Sequence, residues 1–521
     1  MIGLLSVMVF APAVSALALL AIPNEQRLLV RFVSLAGAVT ALGCAVACIL
    51  QYDRSAGGLQ FAEHWPIAPS LGINLSLAVD GWGLALNLLT GIIIVAGIFA
   101  SWTLKEREKE FFILLLVLVS GVLGVFSAQD LFVFFLLYEI AVLPMYLLIA
   151  IWGSSHAVTE AGPLRFVWRW FSIGDKKYAA MKLTLMLLVG SAFILVVILA
   201  MARAGGGTFD MATLGATRFD RNLQLWLFPL TWLGFGTLAG VFPFHTWSPD
   251  GHASAPTAVS MLHAGVLMKL GAFGIIRVGM VMLPEGAAAW LPVVGFVAVI
   301  NVVHGALSAL GQKDLKYVVA YSSVSHMGVV MLGAATATQQ GWNGAVFQMV
   351  AHGIMTGLFF ALVGIVYERA HTRDIPSMGG FGKVMPGVAC FFALAGLSSL
   401  GLPGTAGFVA EFLVFIGAWA GAHPWWAIPG VLGAFLTALY VMKVVRDVFW
   451  GEGPSERFHD LRDARGTEWF APWVLGGCLL VFGCYPRLLL DLIDPATSAW
   501  LPALRSAMGV VLGASVGGGA P

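Results

Sequence analysis

Charge is what this sequence has least of. Only 11% of its 521 residues are Asp, Glu, Lys or Arg, where a soluble domain carries roughly a quarter. With 59% apolar residues, the chain has too little polar surface to cover a water-facing exterior. That excludes a soluble enzyme and a disordered chain. Cysteine is scarce too: Cys44, Cys48, Cys390, Cys478 and Cys484 all lie in apolar runs, and none forms a C-x-x-C pair. A secreted disulfide scaffold is therefore excluded, and no iron–sulfur, haem or metal pattern stands out. Cys44 and Cys48 share a helical face, but two thiols alone make a weak metal site, and packing is the simpler reading. Net charge is +1, so nothing points to nucleic acid or an acidic substrate. A Walker loop, a dinucleotide-binding glycine fingerprint and a nucleophile triad are also missing. The 62 glycines suit close helix packing in a membrane.

A membrane helix takes about 20 apolar residues, and apolar runs mark fourteen spans. They lie near 2–22, 28–50, 78–102, 110–128, 131–151, 179–202, 223–246, 256–281, 287–311, 316–335, 342–366, 385–419, 427–450 and 470–492. The predicted fold is an all-α polytopic membrane protein without a soluble domain. Residues 1–22 lack a basic start and a clear cleavage site, and read as the first span rather than a removed signal. Run 12 carries Gly401-Leu402-Pro403-Gly404 in its middle, and run 7 ends in Val241-Phe242-Pro243-Phe244-His245. Proline removes a donor and glycine tolerates unusual angles, so both helices should open there. Nineteen of the 28 Lys and Arg residues lie in or beside loops that follow odd-numbered spans, and four beside even-numbered ones. Odd loops should face the cytoplasm. The loop at 152–178, with Trp168, Arg169, Trp170 and Phe171, suits a short interfacial segment. The loop at 451–469 alternates acids and bases and reads as solvated, or as a docking surface for a neighbouring subunit. The tail after 495 suits an interfacial helix followed by disorder.

A charge at mid-membrane costs at least about 2.5–3.5 kcal/mol, so the few ionisable residues in spans are candidates for function. Glu139 sits in Tyr138-Glu139-Ile140, five residues before Pro144. Lys269 lies among small residues in span 8, and Glu411 follows the break in span 12. Burial disfavours charged forms, which lets such groups take and release protons near neutral pH. Histidines recur in or beside spans at His245, His263, His304, His326 and His352, and a neutral imidazole accepts on one nitrogen while donating from the other. Arranged between Glu139, Lys269 and Glu411 they would make a proton wire. The bland readings are a protonated, hydrogen-bonded Glu, a fixed Lys counter-ion and satisfied core histidines. Asp80 and Lys182, near helix ends, are weaker candidates.

Several stretches resemble a known family. Pro243 to Thr257 (PFHTWSPDGHASAPT) and Gln312 to Gly328 (QKDLKYVVAYSSVSHMG) resemble the antiporter-like membrane subunits of respiratory complex I, NADH-quinone oxidoreductase. Tyr367 to Gly380 (YERAHTRDIPSMGG) resembles the subunit M, or chain 4, type rather than its L and N sisters. The resemblance implies two inverted five-helix repeats with broken helices 7 and 12. It divides the chain into helices 1–3 (1–109), a first repeat (110–281), a second repeat (282–450) and a last part with helix 14 (451–521). It also implies a proton-translocating subunit with no redox centre. NADH, FMN, iron–sulfur clusters and quinone would belong to partner subunits, and L- and N-type subunits would be its neighbours in a bacterial-type inner membrane. By motif, Glu139 matches the family's helix 5 glutamate, Lys269 the helix 8 lysine, Glu411 the helix 12 glutamate, His326 and His352 the histidines of helices 10 and 11, and Lys182 the lysine opening helix 6.

One position departs from the family. The helix 7 lysine that partners the helix 5 glutamate is replaced by Leu238, and no Lys or Arg occurs between Arg221 and Lys269. His263 is the first candidate substitute, because some related antiporter subunits place a His there, and His245 is the second. Competing readings are a subunit of an Mrp-type cation/proton antiporter, the membrane subunit of an energy-conserving hydrogenase, a structural spacer that lost pumping with its lysine, and a stand-alone solute carrier.

Overall fold

The computed structural model describes residues 3–155, 174–451 and 456–511. The interfacial segment expected at Trp168 to Phe171 and the end of the tail lie outside these. Apolar sequence becomes helix: among the described residues, ten helices are long and apolar enough to cross a membrane. They are α2 (Arg27–Gln51), α3 (Gly81–Ala100), α5 (Leu131–Trp152), α6 (Lys176–Ala204), α8 (Thr257–Met280), α9 (Pro284–Gly311), α10 (Leu315–Ala335), α11 (Gln339–Ala370), α13 (Pro424–Phe449) and α14 (Gly466–Cys484). Shorter or more polar helices accompany them: α1 (Leu4–Leu20), α4 (Glu108–Val125), α7 (Arg221–Ala239) and the two halves of α12 (Pro386–Ser399 and Ala406–Ala420).

Burial sorts the helices. The best apolar stretches of α8 and α11 are wholly buried within the protein, whereas α2 and α14 bury only a third of theirs. The outer helices carry exposed apolar rows such as Leu185, Leu188, Val189 and Val196 on α6. In water such rows would be costly, about 25 cal/mol per Å², whereas lipid receives them without that cost. α11 packs against α3, α8, α10, both halves of α12 and α14, and forms the axis of the interior.

Both expected breaks are present. α7 stops at Ala239, Gly240 takes a left-handed φ of 72°, and the chain resumes as the short helix Trp247–Ser254. Asn301 of α9 satisfies the opened backbone, accepting from Phe242 N at 2.7 Å and donating to Gly240 O at 3.4 Å, and also donates to Val324 O of α10 at 2.8 Å. In α12 the halves flank Gly401 and Gly404, with φ of 74° and 92°, angles at which a Cβ would be strained. α8 is continuous but carries two π-turns, His263–Leu267 and Ile275–Met280, on either side of Lys269. Such bulges recur at functional sites.

Two connections repeat a pattern. The start of α5 pairs its backbone with the segment after α6 (Leu131 N to Phe209 O, 2.8 Å; Met211 N to Gln129 O, 2.9 Å). The start of α10 does the same with the segment after α11 (Leu315 N to Arg373 O, 2.9 Å; Ile375 N to Lys313 O, 2.7 Å). Asp130 and Asp314 cap the two helices in the same way.

Three local features differ from the sequence reading. The expected loop at 51–77 contains an antiparallel hairpin, β1 (Gln60–Ala68) with β2 (Ile73–Val79). Its Glu63 accepts from Leu5 N at 2.9 Å and Ser6 Oγ at 2.5 Å, capping α1, where a carboxylate suits the helix dipole. The last span ends at Cys484 rather than 492, because Pro486 stops it. An amphipathic helix, α15 (Arg487–Val511), then begins, burying Leu489, Leu492, Ile493, Ala496 and Leu504. In the alternating loop, Asp463 accepts from Gly387 N (2.7 Å) and Val388 N (3.2 Å), capping the first half of α12.

Candidate functional site

Four of the singled-out residues meet on four helices in the middle of the bundle. Lys269, fully buried on α8, directs its ammonium at Ala264 O, one turn back, and at His352 Nδ1 of α11, 2.6 Å away. The imidazoles of His352 and His326 of α10 have centroids 5.2 Å apart. His326 Nδ1 lies 2.8 Å from Ser322 O, and its Nε2 lies 3.2 Å from Ser399 O, the last residue before the break in α12. The same Nε2 is 3.6 Å from Glu411 Oε1. Which carbonyl receives the ring N–H depends on the tautomer, so this ring faces acceptors on both sides. Lys269, His352, His326 and Glu411 therefore form one buried run, each at most 5% exposed. His352 Nε2 has no protein partner among the described residues.

On the other side of Lys269, His263 is sandwiched between Trp247 (ring centroids 5.1 Å apart) and His252 (4.0 Å). Both nitrogens of His252 and both of His263 lack a protein partner among the described residues. The break in α7 sets the position of His252: Ser260 Oγ donates to its carbonyl at 2.9 Å, and Arg373 donates to Ala253 O at 2.5 Å; His263 is carried by the first π-turn of α8. His245 faces His304 instead, with Nε2 atoms 3.2 Å apart.

Glu139 stands apart. Among the described residues, its buried Oε1 makes no hydrogen bond of ordinary length, nor do Tyr138 Oη and Ser191 Oγ nearby. Phe235 of α7 packs on Phe134 and Tyr138. Leu238, three residues further and so on the same side of α7, is 1% exposed. The geometry brings neither His263 nor His245 into a bond with Glu139. Lys182 forms an ion pair at 2.6 Å with Asp250, which also accepts from Tyr317 Oη at 2.8 Å.

Residues 166–437, which hold the Lys269–His352–His326–Glu411 run, His245, His252, His263, Lys182 and Asp250 but not Glu139, match the family described as NADH:quinone oxidoreductase/Mrp antiporter, TM. A protein named NAD(P)H-quinone oxidoreductase chain 4 1 from Nostoc sp. is 37% identical over 520 residues, 98% of this chain and 93% of its own. A protein of the same name from Synechococcus sp. is 40% identical over 97% of this chain and 93% of its own. The chain belongs to this antiporter family. Within it, the chain stands with the chain 4 type. Among solved structures, a chain of respiratory complex I from Thermus thermophilus with bound NADH superposes with a TM-score of 0.84 at 29% identity, over 96% of this chain and 99% of that one. The Mrp complex from Dietzia sp. shares the fold, with a TM-score of 0.82 at 21% identity, over 97% and 99% of the two chains. The chain is a multi-pass membrane protein of the antiporter family.

The sequence reading did not single out His252, Asp250 or Lys316. All three lie in stretches quoted for the resemblance, outside the apolar runs or at their ends, where a charge or histidine is expected and draws no notice. The available signal was Asp250-Gly251-His252 falling between the halves of a broken helix. Among the described residues, no group of three or more His, Cys, Asp or Glu is arranged to hold a metal ion.

Proposed function

We propose that this chain is a proton-translocating, non-redox membrane-arm subunit of an NADH:quinone oxidoreductase. The buried Lys269–His352–His326–Glu411 run carries the reading. A proton on Lys269 can pass to His352 Nδ1 at contact distance. The gap between the two imidazoles is of a size one water bridges, and His326 hands on to Glu411. The opened backbone of α12 beside Glu411 provides a polar exit towards the even-loop side, as broken helices do in transporters. Each transfer up to Glu411 leaves its donor neutral, and Glu411 becomes a carboxylate when it releases the proton, ready to take the next one from His326. Reduction and oxidation take place in partner subunits that hold NADH, FMN, iron–sulfur clusters and quinone, and their charge changes reach this chain electrostatically through L- and N-type neighbours.

The repeated pairing of α5 and α10 with the connections after α6 and α11 supports two inverted repeats, spans 4–8 (110–281) and 9–13 (282–450). They stand within a fourteen-span layout whose odd loops face the cytoplasm across a bacterial-type inner membrane. Purifying the complex through a tag on this chain tests the assignment. NADH oxidation in the preparation, with protons moved per NADH reduced by Glu411→Gln, upholds it. Cation/proton exchange without NADH oxidation identifies an Mrp-type antiporter instead.

A second reading has its own observation. Among the described residues Glu139 has no ion partner where the family's lysine is Leu238, so the first half-channel is silent and the second half alone conducts. Under it, Glu139→Gln leaves the proton ratio at the parent value.

A further inference from the structure

If Glu139 lacks its lysine, protons must reach Lys269 another way. An open cavity of about 480 Å³ lies at one end of the bundle. Its lining comes from the segments after α3 and α5, the start of α8, the start of α10 and the end of α11, including Ser101, Trp152, Lys176, Lys316, Tyr367 and Glu368. All of these lie beside odd-numbered loops, the lysine- and arginine-rich side. The inner end of this cavity reaches Lys316, whose side chain is 4% exposed. Lys316 Nζ donates to Ala255 O at 2.7 Å, and Ser260 Oγ reaches the same carbonyl and that of His252. One Ser260 hydroxyl thus bridges the carbonyl that Lys316 holds and the backbone of His252. His252 and His263 are wholly buried, in contact, and have four ring nitrogens without a protein partner among the described residues.

We infer that this cavity is the cytoplasmic inlet of the relay, and that Lys316, His252 and His263 carry protons from it to Lys269, bypassing Glu139 and Leu238. The inference rests on the pump reading above. Lys316 loads from water in the cavity. Its ammonium then gives one proton to a free imidazole nitrogen of His252 and returns to the amine. The imidazolium passes its proton to His263, and His263 to the neutral amine of Lys269, so each carrier ends as it began. The alternative is that Lys316 merely ties the Ala255 carbonyl. A tie needs only a donor, whereas a carrier must release its proton, and arginine separates the two because its guanidinium does not deprotonate.

The test uses the assembled complex in inverted membrane vesicles, with protons moved per NADH measured for the parent, Lys316→Arg, His252→Gln and Lys269→Gln. Lys316→Arg and His252→Gln should each lower the ratio as far as Lys269→Gln does. If both match the parent while Lys269→Gln is lowered, the inlet is wrong and the pump reading stands. If Lys269→Gln also matches the parent, both fall. Should the Lys316 or His252 variants fail to assemble, Thr103→Cys at the mouth of the cavity decides. A bulky methanethiosulfonate should lower its ratio and dithiothreitol restore it, with no effect on the parent's own cysteines. An unchanged ratio after labelling overturns the inlet.

Discussion

Replacing Asp80 by Asn should loosen the C-terminal helix by a predictable amount. Asp80 is 2% exposed and does three things at once. Its Oδ1 accepts from Gly83 N at 2.9 Å, capping α3. Its Oδ2 pairs with Arg277 Nη1 of α8 at 2.8 Å and accepts from Trp500 Nε1 of α15 at 2.9 Å. The Arg277 guanidinium also lies over the Trp500 ring, 4.3 Å from its centroid. Asparagine keeps the shape and, with its one oxygen in the Oδ1 position, the cap, but its NH2 replaces Oδ2, so both the charge and the acceptor for the guanidinium and the indole are lost. Breaking one side of a buried pair costs about 3–5 kcal/mol, because it strands the other charge. The cheapest relief is for α15 to lift and let water reach Arg277. With 1.4 kcal/mol per factor of ten, the opening constant of α15 should rise roughly a hundredfold or more. Hydrogen–deuterium exchange on peptides from 487–504 reads that constant. Asp80→Asn together with Arg277→Met should return exchange most of the way, since an apolar replacement of a buried pair is often near neutral. A rise of less than about threefold in the single variant, or no recovery in the double, would refute the reasoning.

Four further outcomes follow from the same geometry. Asp463→Ala removes the acceptor for Gly387 N and Val388 N and should cost about 1 kcal/mol, read as faster exchange at the start of α12. Asp250→Asn removes the partner of Lys182; at a site about a fifth exposed the loss should stay near or below about 1 kcal/mol, and a thermal shift of the complex larger than that would show a role beyond pairing. Leu238→Lys puts a cation in a fully buried site one turn from Phe235, which packs on Tyr138, the neighbour of Glu139 in sequence. If the ammonium meets Glu139, the variant assembles to near parent levels, and adding Glu139→Gln abolishes assembly. Asn301→Leu strands Phe242 N at the break in α7; a buried donor left unmet costs about 1–3 kcal/mol, measured as lower yield of assembled complex.

The sequence made the membrane class and the positions of most spans legible, because a 20-residue apolar run has few other uses. It also marked both helix breaks, since Gly-Leu-Pro-Gly and Phe-Pro-Phe-His contradict the helices around them. The hairpin at Gln60–Ala68 was hidden: Glu63, His64 and Pro66 give it neither an apolar run nor clean alternation. Helix α15 was legible only after 495, as the interfacial helix of the tail; its first turns, 487–494, were merged with span 14 because their apolar face continues that run. Lys269, His326, His352 and Glu411 stood out singly because buried ionisable groups are expensive. Their adjacency did not, for Lys269 and His352 are 83 residues apart, and only helix packing sets them 2.6 Å from each other. Lys316 and His252 were passed over because they sit where helix ends normally carry such groups.

The most direct measurement is of protons moved per NADH in the assembled complex for Lys269→Gln, Glu411→Gln and the two together. Residues that act as one unit are strongly non-additive. A single buried conduit predicts that each variant lowers the ratio by the same amount and that the double variant loses no more than either. Additive losses, or a ratio untouched by Glu411→Gln, would contradict it.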